Sequence, residues 1–553
     1  MVKIIYNGKI YLDRSRFCEA LLVDGGRIVK TGSSKDILDA APLKSRKIPV
    51  EKINADGTLV VPAFYDSHLH LMWVGRRMSG IECAGAKSVD DVICRGRETI
   101  ARLHPRMGAC ILGSGLDPDR FSEGEKRDLN RDDLDKITTE YPLVVSRHCG
   151  HTIYCNSLAL KTAGLSESAP NIEGGVIEKD KNGKPTGVLR ENAGALVKRK
   201  MPPSSVEEIK EHIRLAMQKA HSLGITSCGS YDINGHDFDT VVKAYCQVYD
   251  ECKRAGFPGL RVSMQCGISG SEEILTSHLE RKTQSPFWED KEWGAFLKMQ
   301  SIKLFADGTL GGQTAWLRQP YLDNQNTPAE HRFGLPLIQQ EKLENFVQKA
   351  AAGGMQVLVH AIGDAGMDAV LCAFEKVTAP GKNPLRHGII HCQITSPDLL
   401  ERMARNKIPA LVQPGFLEDD MHILESRVGK ERALKSYAWG SMQKLGVPVS
   451  YSTDAPVSDI NPFHCINWAV NRGGYNGDER VDIYSAVDAY TSACAFSGFN
   501  ENVLGRIKPG AFADLVFLDR DVFSTPVEDI AKTKVLRTIC AGETVYGEKP
   551  YTN

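Results

Sequence analysis

The chain has 553 residues, 42% hydrophobic and 25% charged, enough for two or three domains or for one large core with appendages. Its 68 basic and 69 acidic residues leave a formal charge of -1, so no global attraction to nucleic acid or to an anionic membrane follows. The 15 cysteines fall singly, without a CxxC pair, as buried thiols in a reducing compartment would, and no apolar stretch reaches the roughly 18 residues that cross a bilayer.

At the start, VKIIYNGKI (2–10) reads as a strand, an Asn-Gly turn and a second strand. The same stretch lacks the apolar run and cleavage site of a signal peptide, so a soluble cytoplasmic protein is the default expectation. ALLVDGGRIVKTG (20–32) repeats the hairpin pattern around Asp24-Gly25, and ADGTLVVPAF (55–64) supplies an apolar strand leading to Asp66. Next comes an anomaly: about 150 residues separate His70 from Gly224, far more than one helical crossover needs. Strand candidates ACILGSGL (109–116) and PLVVSRHCG (142–150) lie inside it, so an inserted module is expected at about 75–200. The alternative is that 109–147 contributes strands to the main sheet.

Between the terminal segments, short apolar runs alternate with helical stretches such as 206–222, 340–352, 364–377 and 396–405. The runs are GITSCG (224–229), RVSMQCG (261–267), SIKLFADG (301–308), MQVLVHAIGD (355–364), HGIIHCQ (387–393), KIPALVQPG (407–415) and VPVSYSTDAP (447–456). Strand–helix alternation with buried apolar strands argues a parallel sheet. With the strand before Asp66 the count is eight, the number that closes a (β/α)8 TIM-type barrel. The far end, GRIKPGAFADLVFLD (505–519) and TICAGETVYG (538–547), returns to hairpins. Hairpins this small bury little alone. The expected architecture is therefore one discontinuous β-domain from 1–60 and 505–553 enclosing a barrel over 61–504.

Several apolar strands end on groups that bind metals. VVPAFYDSHLHL places His68 and His70 two apart, on the same side of an extended chain. MQVLVHAIGD carries His360, HGIIHCQ carries His391 and VPVSYSTDAP carries Asp454. A lone HxH also suits a turn, and a lone histidine also suits a hydrogen-bonded core. Barrel strands, however, gather their C-terminal ends around one axis, where four imidazoles and a carboxylate would suit one or two divalent ions, zinc foremost. Neither GxSxG nor HExxH is present, and P-loop and Rossmann glycine patterns are absent.

Taken in order along the whole chain, these motifs resemble the amidohydrolase superfamily, in particular the branch that includes N-substituted formamide deformylase. SIKLFADGTLGG, GVLREN, HTIYCNSLAL and GRIKPGAFADLV are similar to further stretches of that branch. The resemblance implies that the discontinuous β-domain of both termini is a β-sandwich beside the (β/α)8 barrel, and it implies His68, His70, His360, His391 and Asp454 as metal ligands, with Asp454 also the general base acting on water. It implies that Lys303 in SIKLFADG is a carboxylated lysine shared between metals; the competing reading pairs Lys303 with Asp307 or another carboxylate. The implied reaction is hydrolysis of the C–N bond of a small N-substituted formamide or N-acyl compound, with deamination or cyclic amide or lactone hydrolysis as the alternative. No nucleic-acid or membrane partner is expected, and a homodimer is left open. Around the metals, RHCGHTIYCN offers Arg147, His151 and Asn156, with His151 the leading candidate to touch substrate. GVLRENA offers Arg190 and Glu191, the loop DGTLGGQTAW offers Asp307 and Trp316, and Asp364 could orient a histidine ring or cap a helix.

Overall fold

Runs such as QVLVHA and GIIH are buried along their whole length, which suits strands covered on both faces. The computed structural model describes residues 2–39, 50–122, 124–147, 152–165, 175–191, 193–234, 237–323 and 332–547. It gathers eight parallel strands in one sheet: β1 (Phe64–Leu69), β2 (Ile225–Asn234), β3 (Arg261–Gly267), β4 (Gly294–Phe305), β5 (Gln356–Ala361), β6 (Gly388–His391), β7 (Ala410–Val412) and β8 (Val449–Tyr451). They pair in sequence order, each with the next. Helices Phe238–Ala255, Glu272–Lys282, Gln340–Ala352, Asp364–Glu375 and Pro397–Asn406 follow β2 to β6 in turn. The expected (β/α)8 barrel is thus present and nearly closed. Its seam between β8 and β1 is held by Ser67 Oγ donating to the Tyr451 carbonyl at 2.9 Å and by Asp454 N–H donating to the His68 carbonyl at 2.9 Å.

The run LVVPAFYD, read from sequence as one strand, is divided at Ala63. Leu59–Pro62 lies antiparallel to Leu515–Leu518, whereas Phe64–Leu69 starts the barrel. Ala63 N–H donates to the Asp514 carbonyl at 2.9 Å, so the change of sheet is pinned by the C-terminal segment. Strands from both ends form a mixed six-stranded sheet in the order 543–546, 535–540, 515–518, 59–62, 9–13, 16–18. A four-stranded sheet of 27–32, 20–24, 2–6 and 50–54 faces it. Ile5, Val23 and Ile53 of the smaller sheet and Ile10, Val60, Leu515 and Ile539 of the larger one share a single apolar cluster, so neither terminus has a core without the other.

Two compact units divide the chain: Met1–Leu71 with Met217–Asn553, and Met72–Ala216. The second unit has its own six-stranded sheet in the order 175–179, 185–191, 152–155, 143–147, 111–116, 81–82. Consecutive residues of its central strands enter opposite cores. Val145, Tyr154 and Val188 join one cluster, and Val144, Ile153 and Leu189 the other, as the two-residue period of a strand requires. The strands at 111–116 and 143–147 therefore belong here and not to the barrel. Among the described residues, no helix is long and apolar enough to cross a membrane.

One buried ion pair joins the barrel to the terminal sheets. Arg261, the first residue of β3, lies between the rings of Phe296 and Phe512 and pairs with Asp514. Asp514 also accepts from Thr226 Oγ1 at 3.1 Å and from Ala541 N–H at 2.6 Å. Asp514→Ala would leave this guanidinium buried without its counter-charge and is expected to destabilise the fold by about 3–5 kcal/mol. An unchanged denaturation midpoint would refute the coupling.

Candidate metal centre

The C-terminal ends of β1 and β8 bring His68, His70 and Asp454 together, with one donor atom from each lying within 4.8 Å of the others. Asp454 Oδ1 is 3.3 Å from His68 Nε2 and 3.1 Å from His70 Nε2. The other ring nitrogen of each histidine is already committed. His68 Nδ1 lies 2.5 Å from Gln265 Oε1, and that amide is oriented by its Nε2 donating to the Ser67 carbonyl at 2.9 Å. His70 Nδ1 meets the Tyr231 carbonyl at 3.1 Å. Both partners are acceptors, which assigns the proton of each ring to Nδ1 and leaves a lone pair on Nε2.

Three acceptors then face one another in a buried space: two imidazole lone pairs and a carboxylate oxygen. Such a set is stable only around a cation, either a proton on an imidazole or a metal ion. Burial lowers the pKa of His68 even against its contact with Asp454, which disfavours the proton. Burial alone would raise the Asp454 pKa; hydrogen bonds from a protonated His68 or His70 outweigh it and hold the carboxyl well below the usual range, and a metal ion in place of that proton would supply the same compensating charge. An ionised carboxylate with neutral imidazoles is the donor chemistry of a borderline divalent ion, and these residues fit one.

His391, at the end of β6, and His360, in β5, stand beside this trio. The His391 ring centroid is 6.2 Å from that of His68 and 4.4 Å from that of His360. His391 Nδ1 meets Gln413 Oε1 at 2.7 Å, and Gln413 in turn donates to the Leu411 carbonyl at 3.0 Å and to Ser452 Oγ at 2.7 Å. This arrangement again leaves Nε2 as the lone-pair atom. His360 does the reverse: its Nε2 donates to the Gly308 carbonyl at 3.0 Å, which leaves Nδ1. Burial drives the pKa of His391 down to about 3 and that of His360 well below the ordinary value.

Lys303 in β4 is 2% exposed, and its Nζ lies 3.9 Å from the centroid of the Phe305 ring and 3.4 Å from the Leu304 carbonyl. Burial lowers its pKa to about 7. Among the described residues no carboxylate lies within ion-pair distance of it. Asp307, the partner considered from sequence, instead accepts the backbone N–H groups of Ile362 at 3.0 Å, Gly363 at 2.7 Å and Trp316 at 2.9 Å. It therefore clamps the loop after β4 onto the loop after β5. That approach depends on Gly363, where a Cβ would sit 2.0 Å from the Trp316 carbonyl oxygen. Trp316 is half-buried in this loop, and Asp364 accepts from Arg318 N–H at 2.8 Å and Ala365 N–H at 3.1 Å.

The remaining sequence candidates lie in the second unit. Asn156 caps the helix Ser157–Thr162 and spends its whole amide on backbone, accepting from Leu143 and Ala159 N–H and donating to the Thr138 and Tyr141 carbonyls. Arg147 pairs with Asp119 and approaches Asp128 at 3.9 Å; Arg190 pairs with Asp128 at 2.5 Å; Glu191 is exposed. His151 lies outside the described residues. Sequence reasoning missed Gln265, Gln413 and Asp66, because a glutamine inside an apolar strand carries no local sign of the ring it will meet. Three aromatic rings also border the histidines: Tyr231 at 5.4 Å from His70, Phe305 at 5.2 Å from His360 and Phe416 stacked at 5.9 Å on His391.

The sequence matches the amidohydrolase family over residues 51–546. It is 31% identical to the Bacillus subtilis protein YtcJ, over 99% of each chain. It is 25% identical to an N-substituted formamide deformylase from Arthrobacter pascens, over 96% of this chain and 95% of that one. Among solved structures, a metal-dependent hydrolase from Pyrococcus furiosus superposes with a TM-score of 0.77 at 28% identity, covering 95% of this chain and all of the other.

The orienting amides generate a prediction. Gln265→Leu removes the acceptor for His68 Nδ1 without touching a donor atom, and is expected to weaken metal affinity by about 10–100-fold. Chelator competition measures the change, and unaltered affinity would show that the amide does not set the ring.

Proposed function

Because this chain belongs to the amidohydrolase family, as a metal-dependent enzyme acting on carbon–nitrogen bonds other than peptide bonds, we propose that it hydrolyses a small N-substituted formamide or N-acyl compound to an amine and a carboxylate. The observation that carries the metal dependence is the buried set of three acceptors, His68 Nε2, His70 Nε2 and Asp454 Oδ1, around one space. In this reading His68, His70 and Asp454 hold one ion, His360 and His391 serve a second, and zinc suits the imidazole and carboxylate donors. A divalent ion held there supplies Lewis acidity, polarising a carbonyl and making water acidic enough to attack near neutral pH.

Asp454, at the mouth of the barrel, is the general base. It takes the proton of the attacking water as oxygen bonds to the carbonyl carbon, then returns it to nitrogen as the C–N bond breaks. Gln265 and Gln413 keep His68 and His391 in the tautomer that presents Nε2. Lys303 is proposed as a carbamate, formed when its neutral amine adds to carbon dioxide and loses one proton. Its burial and lack of a carboxylate partner support this, since an uncompensated ammonium is costly there whereas a carbamate offers oxygen donors. The rings of Tyr231, Phe305 and Phe416 favour an apolar N-substituent over a polar one. The likeness to the Arthrobacter deformylase favours formamides among the amides.

Removing metal with a chelator is expected to abolish turnover, and restoring zinc to recover it; full activity in verified metal-free protein would end the proposal. Asp454→Asn is expected to cut kcat by roughly 10²–10⁴-fold, with metal content measured alongside so that lost metal is not mistaken for a lost base. In a substrate panel of N-formyl and N-acyl amines, cyclic imides, lactones and amino-heterocycles, the N-formyl and N-acyl amines are expected to be turned over, releasing amine and carboxylate. Ammonia from a ring with no amide turnover would reassign the enzyme as a deaminase, and lactone opening alone would make it an esterase-like hydrolase.

A further inference from the structure

A second concave site lies wholly within residues 72–216, on elements that contribute nothing to the metal centre. It is a cavity of about 270 Å³ with walls that include Leu103, Cys110, Leu112, Pro202 and Pro203, and the Arg76 side chain faces it. The helix carrying Arg76 meets the helix from Val206 where Gly75 presses on the His212 carbonyl; a Cβ there would sit 1.7 Å from that oxygen. The contact leaves the next side chain, Arg76, partly buried at the cavity wall.

The charges around the cavity are unequal in their partners. Glu207 pairs with Lys210 at 2.9 Å, Glu211 with Arg214 at 3.3 Å, and Glu208 with Arg106 at 3.1 Å. Glu208 also accepts from Ser205 N–H at 2.7 Å and Oγ at 2.8 Å, closing the first turn of its helix. His212 is kept neutral, its pKa pulled down to about 4 by burial. Arg76 alone among these groups makes no ion pair or side-chain hydrogen bond within the described residues, and burial lowers its pKa. Glu208 stabilises this guanidinium only from beyond contact distance; withdrawn from water without a hydrogen-bonded counter-charge it is destabilising, and a carboxylate laid against its planar fork would offset that cost with two parallel hydrogen bonds. Apolar walls suit a short hydrocarbon or aromatic body behind the carboxylate. The three glutamates, though paired, oppose a second negative charge and so disfavour phosphate or sulfate.

We propose that this cavity is a binding site for a small monocarboxylate with an apolar body, whose carboxylate is received by Arg76. It is independent of the reading of the metal centre. The test uses the metal-replete full-length enzyme with benzoate as probe, followed by calorimetry and by the rate of Cys110 alkylation in peptide mass spectra. Cys110 lines the cavity and is half-buried, and exposed Cys94 serves as the internal control. Benzoate is expected to slow alkylation of Cys110 and not of Cys94, a readout that needs no variant. Arg76→Met should weaken benzoate binding by at least about tenfold, with Arg76→Lys in between and kcat unchanged, because a charge-assisted bidentate pair has been removed. Benzoate affinity equal in wild type and Arg76→Met, which is also what binding at the metal centre would give, overturns the proposal. So does unprotected Cys110, or protection by sulfate as strong as by benzoate.

Discussion

Closure of the barrel between its last and first strands is the constraint on which the metal centre depends. β8 ends at Tyr451 and β1 at Leu69, and backbone bonds across the seam place Asp454 beside the two histidines of β1. Asp66 fastens this junction. It is fully buried and accepts from Thr453 Oγ1 at 2.7 Å, Thr453 N–H at 3.1 Å and His68 N–H at 3.1 Å, with Tyr490 Oη at 3.3 Å. Burial pushes its pKa up to about 7 despite these donors. One carboxylate thus ties the strand that carries His68 and His70 to the loop that carries Asp454, without contacting their imidazole or carboxylate atoms.

The centre is held at a cost to stability that its surroundings bear. His391 and Asp454 have φ of 82° and 55°, a region side chains with a Cβ rarely adopt and worth about 1–3 kcal/mol of strain each. Each is fixed from outside: His391 by Gln413, Asp454 by the seam. A site built this way is preorganised. Its imidazoles need neither rotate nor change tautomer to present their donor atoms, and its carboxylate is already ionised.

Loops follow the same logic. Asp307 does not reach Lys303 but collects three backbone N–H groups from two loops, converting what could be mobile connections above β4 and β5 into one rigid ledge. In the second unit, Asn156 does comparable work with a side-chain amide that closes a helix start against the strand at Leu143. Both residues look like candidates for chemistry in the sequence because buried polar side chains in loops serve structure and function with the same hydrogen-bonding groups.

The amino-acid sequence by itself determined the eight barrel strands, the hairpins that make the terminal sheets and the polar strand ends at His68, His70, His360, His391 and Asp454. Those features are local: a strand covered on both faces must be apolar, a tight turn needs Asn-Gly or Asp-Gly, and a polar group at the end of an apolar run stands out against its neighbours. Only the tertiary structure decided where LVVPAFYD changes sheets, which oxygen meets each imidazole and whether Asp307 would pair with Lys303. His68 and Gln265 are 197 residues apart, and His70 and Asp454 are 384 apart. Contacts over such separations are selected by the register and closure of the folded barrel, a geometry that no short window of sequence contains.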